Sequence, residues 1–193
     1  MNQLCVFCGS SAGVRSEYAQ AAAATGELIA RRGLGLVYGG GRVGLMGVLA
    51  DSALRAGGRV IGVITQALQD REVAHDGLTE LQVVRTMHER KAMMARLSDA
   101  FLVLPGGIGT MEEFFEVWTW GQLGEHAKPC GLVNVAGYFD GLIGFLGQMV
   151  AEGFLKPKHR AMLIVAQSPA EALDVFARYQ PPAVGKWIKP EET

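Results

Sequence analysis

The stretch Ala100-Phe101-Leu102-Val103-Leu104-Pro105-Gly106-Gly107-Ile108-Gly109-Thr110-Met111-Glu112-Glu113 decides how this chain is read. An apolar run, Ala100–Leu104, has the length and composition of a buried strand. A glycine-rich turn follows, and then a helix is predicted over Thr110–Leu123. Glycines at 106, 107 and 109 let backbone N–H groups approach an anion closely, and the dipole of the following helix holds it. The G-x-x-x-x-G-K-[ST] spacing of a P-loop and its lysine are missing, so a single phosphate fits better than a pyrophosphate. Thr110 and Glu113 have the T-x-x-E spacing of a capping box, in which Glu113 would bond back to the Thr110 amide. A carboxylate in the first helical turn would also face the crevice, kept ionised by the helix dipole and close to the sugar of a bound nucleotide. The two roles are compatible.

Outward from this stretch, short apolar runs alternate with helical stretches. Strands are expected at Leu4–Cys8, Leu34–Tyr38, Val60–Ile64, Leu81–Val84, Cys130–Val135 and Met162–Ala166. Helices are expected at Ser16–Arg32, Gly44–Ala56, Met87–Ser98, Asp140–Glu152 and Pro169–Tyr179, with a polar surface loop over Gln69–Thr79. Strands apolar throughout and separated by helices imply a parallel sheet covered on both faces, a doubly wound, Rossmann-like α/β fold. Residues 1–180 read as one nucleotide-binding domain and residues 181–193 as an extended tail. Ligands of such sheets bind at the carboxyl ends of the strands, where the glycine-rich turns after Cys8, Tyr38 and Leu104 all fall. The first of these, Gly9-Ser10-Ser11-Ala12-Gly13, lacks the dinucleotide fingerprint. The second strand ends at Tyr38-Gly39 without the acidic residue that an NAD ribose needs. A nicotinamide-dependent oxidoreductase is therefore disfavoured.

Composition narrows the classes further. The 193 residues are 49% hydrophobic, enough for a sizeable core, and carry 18 basic and 19 acidic side chains for a net charge of −1. A nucleic-acid surface needs a basic excess to neutralise phosphates, so none is expected. No apolar run has bilayer length, and the first residues lack the pattern of a signal peptide; a cytoplasmic protein is the expectation. Three cysteines form no disulfide framework, and Cys5 and Cys8, three apart on a strand, point to opposite faces. Core packing is their expected role. His75, His88, His126 and His159 are scattered without ligand spacing, so neither a metal nor another cofactor is expected.

A second cluster, Met87-His88-Glu89-Arg90-Lys91, opens the helix before the central strand. Arg90 offers a planar fork of donors and Lys91 a compact charge. By itself such a pair is most simply a solvated helix face. Taken together, however, M-x-x-R-K at Met87–Lys91 and P-G-G-x-G-T-x-x-E at Pro105–Glu113 resemble the paired signature of the Lonely Guy (LOG) family. Cys8-Gly9-Ser10-Ser11, Val37–Gly41, Gly44-Leu45-Met46-Gly47 and Glu116–His126 extend the resemblance over nearly the whole chain.

The resemblance implies hydrolysis of cytokinin riboside 5′-monophosphates, and of AMP, to free base and ribose 5-phosphate. It implies Arg90 and Glu113 as the catalytic pair. The substrate-binding set would be Gly106, Gly107, Ile108, Gly109, Thr110, Met111, Glu112, Lys91, Met87, Gly9, Ser10 and Gly40. Older labels call such proteins lysine decarboxylases, but nothing in the sequence identifies a pyridoxal-bearing lysine. The alternative is a non-catalytic mononucleotide carrier or sensor of the same fold.

Along the helix after the glycine turn, Met111, Phe114, Phe115, Val117, Trp118, Trp120 and Leu123 cover more than one face. One face would meet the sheet and the other a second subunit, giving a homodimer through residues 110–123, unless core packing absorbs both. The family's sites also lie near a subunit interface. Trp118 and Met94 would then line a pocket for a substituent on the base.

Overall fold

The computed structural model describes residues 1–71 and 73–182. Of the expected tail, residues 183–193 lie outside that set. The elements run β1 (Gln3–Phe7), α1 (Ser16–Arg31), β2 (Gly35–Tyr38), α2 (Gly44–Arg55), β3 (Val60–Thr65), α3 (Gln66–Gln69), β4 (Glu80–Val84) and α4 (Met87–Leu97). They continue with β5 (Ala100–Val103), α5 (Ile108–Leu123), β6 (Cys130–Val133), α6 (Asp140–Ala151), α7 (Pro157–Arg160), β7 (Leu163–Ala166) and α8 (Pro169–Phe176). All neighbouring strands pair in parallel, in the order β4-β3-β2-β1-β5-β6-β7. This is the doubly wound, Rossmann-like sheet that the alternation of elements predicted.

The apolar runs are continuous because both sheet faces are covered. Leu4, Val6 and Cys8 pack with α1, α2 and α8 on one face, while Cys5 and Phe7 pack with α4, α5 and α6 on the other. The two cysteines therefore do separate, as period-two geometry requires. Both are free and buried, as is Cys130. Burial first, and then the nearby Glu113 charge, pushes the Cys5 and Cys8 thiols well above their ordinary range, which leaves them poor nucleophiles and poor metal ligands. Among the described residues there is no cluster of metal-ligating side chains, and no helix is long and apolar enough to cross a membrane.

Strand order reverses at β1, which has β2 on one side and β5 on the other. The ladder continues past the strands there, with Leu104 N donating to Phe7 O at 2.9 Å and Gly9 N to Pro105 O at 3.0 Å. The crevice at this switch point holds a cavity of about 250 Å³, lined in part by Ser10, Gly13, Tyr18, Gly106, Gly107 and Tyr138.

Several elements depart from expectation. Helix α5 starts at Ile108 with Gly107 as its N-cap, two residues earlier than predicted, and Met111 N donates to Gly107 O at 3.1 Å. Thr110 is thus the third helical residue and Glu113 the sixth. The expected capping box does not form, because its threonine is already inside the helix. Side-chain caps form instead at other helix starts. Thr86 Oγ1 accepts from Glu89 N at the start of α4, and Ser168 Oγ from Glu171 N at the start of α8. The one-turn helices α3 and α7 are too short to show a period in sequence. Strand β6 stops at Val133 because the Asn134 side chain takes over the turn, accepting from Phe139 N at 2.8 Å and donating to Asp140 at 2.7 Å.

Candidate active site

Arg90 lies one turn into α4, on the side facing the carboxyl ends of β2 and β3, and only 6% of it is exposed. Its Nε donates to Val63 O at 2.8 Å and its Nη2 to the Gly39 carbonyl at 3.2 Å. Nη1 donates to Glu113 Oε1 at 2.8 Å. The guanidinium is therefore built into the sheet edge, not spread on a solvated helix face. Gly39 is glycine for this reason: a Cβ there would stand 2.2 Å from Arg90 Nη2.

Glu113 reaches the same spot from the second turn of α5, with its side chain 12% exposed. Burial pushes its carboxyl above the ordinary range, and the adjacent Arg90 pulls it part of the way back. This corrects the expectation from the helix dipole. The charge of Glu113 is held by a buried ion pair, because in the second turn the dipole has largely faded.

Lys91 points away from Arg90, toward the exposed side of α5. Its Nζ pairs with Glu112 and, at 3.0 Å, with Glu116. Burial pulls its pKa down, but the two carboxylates outweigh that and the net shift is upward. Lys91 is held as an ammonium, the opposite of what a Schiff-base lysine requires. The sequence reading missed Glu116, although its position one turn beyond Glu112 puts both carboxylates on one helix face.

The glycine turn leaves its donors open. Among the described residues, the amides of Gly107, Ile108, Gly109 and Thr110 donate to no protein acceptor. Gly107, Ile108 and Gly109 are exposed, whereas Thr110 is buried with its hydroxyl against Gly106. A Cβ on Gly106 would meet Thr110 Oγ1 at 2.2 Å and Gly9 N at 2.8 Å, so only glycine fits there. From Thr110 to Glu113 the helix rises about 4.5 Å, which puts open amides and a buried carboxylate within the reach of one small ligand.

The other expected site residues are placed differently. Ser10 is exposed and lines the cavity, whereas Gly9 is buried with both polar backbone groups engaged. Gly40 has φ +74, packs near Ile64 and Leu81, and its carbonyl accepts from His75 N at 2.9 Å. Met87 is 45% exposed at the start of α4, and Met111 is half-buried. Met94 and Trp118 are not available to a base pocket. Met94 is 0% exposed and Trp118 3%, the latter stacked on Phe114 at 5.5 Å in the core beneath the sheet.

Known proteins resemble this chain in sequence and in fold. The family described as "Possible lysine decarboxylase" matches residues 46–176. A protein of Oryza sativa subsp. japonica, described as a probable cytokinin riboside 5′-monophosphate phosphoribohydrolase, is 49% identical over 179 residues, covering 93% of this chain and 79% of its own. The chain belongs to the LOG family. A second member, the cytokinin riboside 5′-monophosphate phosphoribohydrolase of Arabidopsis thaliana, is 46% identical over 179 residues, covering 93% of this chain and 84% of its own. Outside the close LOG relatives, the fold is shared with the molybdenum cofactor carrier protein of Chlamydomonas reinhardtii. That likeness has a TM-score of 0.70 at 21% identity and covers 92% of this chain and 96% of the other.

Proposed function

We propose that this protein hydrolyses the N-glycosidic bond of adenine nucleoside 5′-monophosphates, cytokinin ribotides or AMP, to free base and ribose 5-phosphate. The observation that carries this reading is the buried Arg90–Glu113 pair, at 2.8 Å, whose Glu113 stands on the same helix as the unpaired amides of the glycine turn. The 5′-phosphate binds the amides of Gly107, Ile108, Gly109 and Thr110, and the sugar extends along α5 toward Glu113. Breaking C1′–N9 builds positive charge on the ribose, which an ionised carboxylate in a dry site opposes. Water supplies hydroxide to C1′ and a proton to the departing base. Arg90 keeps Glu113 ionised and aimed. Lys91, already an ammonium, is held by Glu112 and Glu116 on the same helix as Glu113. The activity of the 46–49% identical relatives supports the same chemistry.

The deciding experiment incubates the protein with AMP and, separately, with isopentenyladenosine 5′-monophosphate, and looks for free base. Release of adenine or isopentenyladenine is expected. Nucleotide binding without release would favour the carrier reading. A homodimer through α5 is part of the proposal, supported by Phe115 (36% exposed) and Leu123 (42%) on its outer side. Elution as a monomer in size-exclusion chromatography would contradict it.

A further inference from the structure

We infer that Tyr138 is a positioning residue, whose hydroxyl locks the Gly106–Gly107 peptide in the orientation that binds phosphate. The inference rests on the phosphate reading above. Tyr138 follows β6, far in sequence from the glycine turn, and its Oη donates to Gly106 O at 2.5 Å. No other protein group bonds this carbonyl among the described residues. The Tyr138 ring is held edge-on by Tyr18, at 5.5 Å, and by Phe139, at 4.9 Å. The hydroxyl is thus presented by a braced ring.

In a trans peptide the C=O of one residue and the N–H of the next point in opposite directions. Fixing the Gly106 carbonyl on Tyr138 therefore aims the Gly107 amide away from Tyr138, as the first of the four open donors. The peptide between two glycines is the one most easily turned over. A flip carries Gly107 φ from −88 to about +90, which glycine adopts freely and other residues do not. The flipped turn would present a carbonyl oxygen where the phosphate needs a donor. Without the Tyr138 hydroxyl the binding-competent orientation becomes one of two, and apparent affinity falls by the fraction lost.

The test is a double-mutant cycle. Tyr138→Phe keeps the ring contacts and removes only the hydroxyl. Gly107→Ala suits the observed φ of −88, its Cβ meets nothing within 4 Å, and it forbids the flipped state. Inorganic phosphate is titrated into 15N-labelled protein while the residue-107 amide resonance is followed, and AMP turnover is measured in parallel. In the Gly107 background, Tyr138→Phe is expected to raise the phosphate Kd and the KM for AMP together, roughly threefold to tenfold, with kcat within twofold. In the Gly107→Ala background, the same substitution is expected to change the phosphate Kd by less than twofold. Equal losses in both backgrounds, or no loss in either, would overturn the inference. Should the wild-type amide not respond to phosphate at all, the phosphate reading falls and takes the lock with it. Should phosphate bind while AMP stays intact, only the hydrolase reading fails, and the phosphate Kd still decides the lock.

Discussion

The two lips of the crevice are both glycine-bearing turns, but the helix starts beside them differ in availability. On the first lip Gly9, at the head of the turn after β1, is engaged on both sides. Gly9 N donates to Pro105 O, and Gly9 O accepts from Leu45 N at 3.0 Å and Met46 N at 3.3 Å, so two first-turn amides of α2 are already satisfied. On the second lip, the first amides of α5 have no protein acceptor among the described residues. Both helices begin beside glycines, and both have a positive dipole end. The difference is whether a carbonyl from elsewhere in the fold has arrived to use the donors. Arg90 ties the turn after β2 to α5, with one hydrogen bond to Gly39 and another to Glu113. A helix start becomes an anion site by being left unpaired, not by its sequence alone.

The strongest way to break this contrast is Arg90→Ala, which leaves Glu113 buried without its partner and takes a donor from the carbonyls of Val63 and Gly39. Loss of about 3–5 kcal/mol of stability near neutral pH is expected, with damage to both kcat and KM. Denaturant unfolding and steady-state kinetics check it. A pH dependence follows from the same pair. Burial already raises the Glu113 carboxyl, and Arg90 is what lowers it, so activity that needs the carboxylate rises with pH through a midpoint above the ordinary glutamate value. Removing Arg90 should move that acid limb higher still. A limb that stays in place in pH–rate profiles would detach Glu113 from the rate.

Glu113→Gln comes next. It keeps a hydrogen-bond acceptor for Arg90 but loses the charge, so AMP binding should stay nearly intact while kcat falls roughly a hundredfold or more. Equal turnover would remove Glu113 from the mechanism. Gly106→Ala attacks the open lip directly. Its Cβ meets Thr110 Oγ1 and Gly9 N below 3 Å, and overpacking of this kind costs about 1–3 kcal/mol. Its melting temperature should fall by several degrees, and phosphate should no longer raise it. The smallest effect is expected on the closed lip. Ser10→Ala removes one exposed hydroxyl and should change KM by no more than about threefold. A Ser10 effect as large as that of Gly106→Ala would erase the distinction between the lips.

Much of this was legible in the chain itself. Continuous apolar runs at Leu4–Cys8 and Ala100–Leu104, helices between them, and two separated motifs led to a parallel sheet with its crevice at the switch point. Glu113 and Arg90 were named from those motifs, but their setting was not. The reading placed Glu113 in a first-turn capping box, because nothing local reveals that α5 begins at Ile108 instead of Thr110. Met94 and Trp118 were expected in a pocket and are in the core, since an apolar residue on a two-sided helix does not announce which side meets the sheet. Tyr138 escaped notice because its partner is 32 residues away.

What the sequence alone determined is therefore what short-range chemistry controls: which segments are strands or helices, which face of β1 each cysteine takes, and where glycine permits a backbone to come close. What only the tertiary structure decided is which donors and charges end up with partners. Gly9 closes one helix start and no described residue closes the other; Arg90 finds two carbonyls as well as Glu113; Lys91 finds two carboxylates. Each of these pairings joins residues distant in the chain, and local propensity carries no information about groups that meet only when the sheet is assembled.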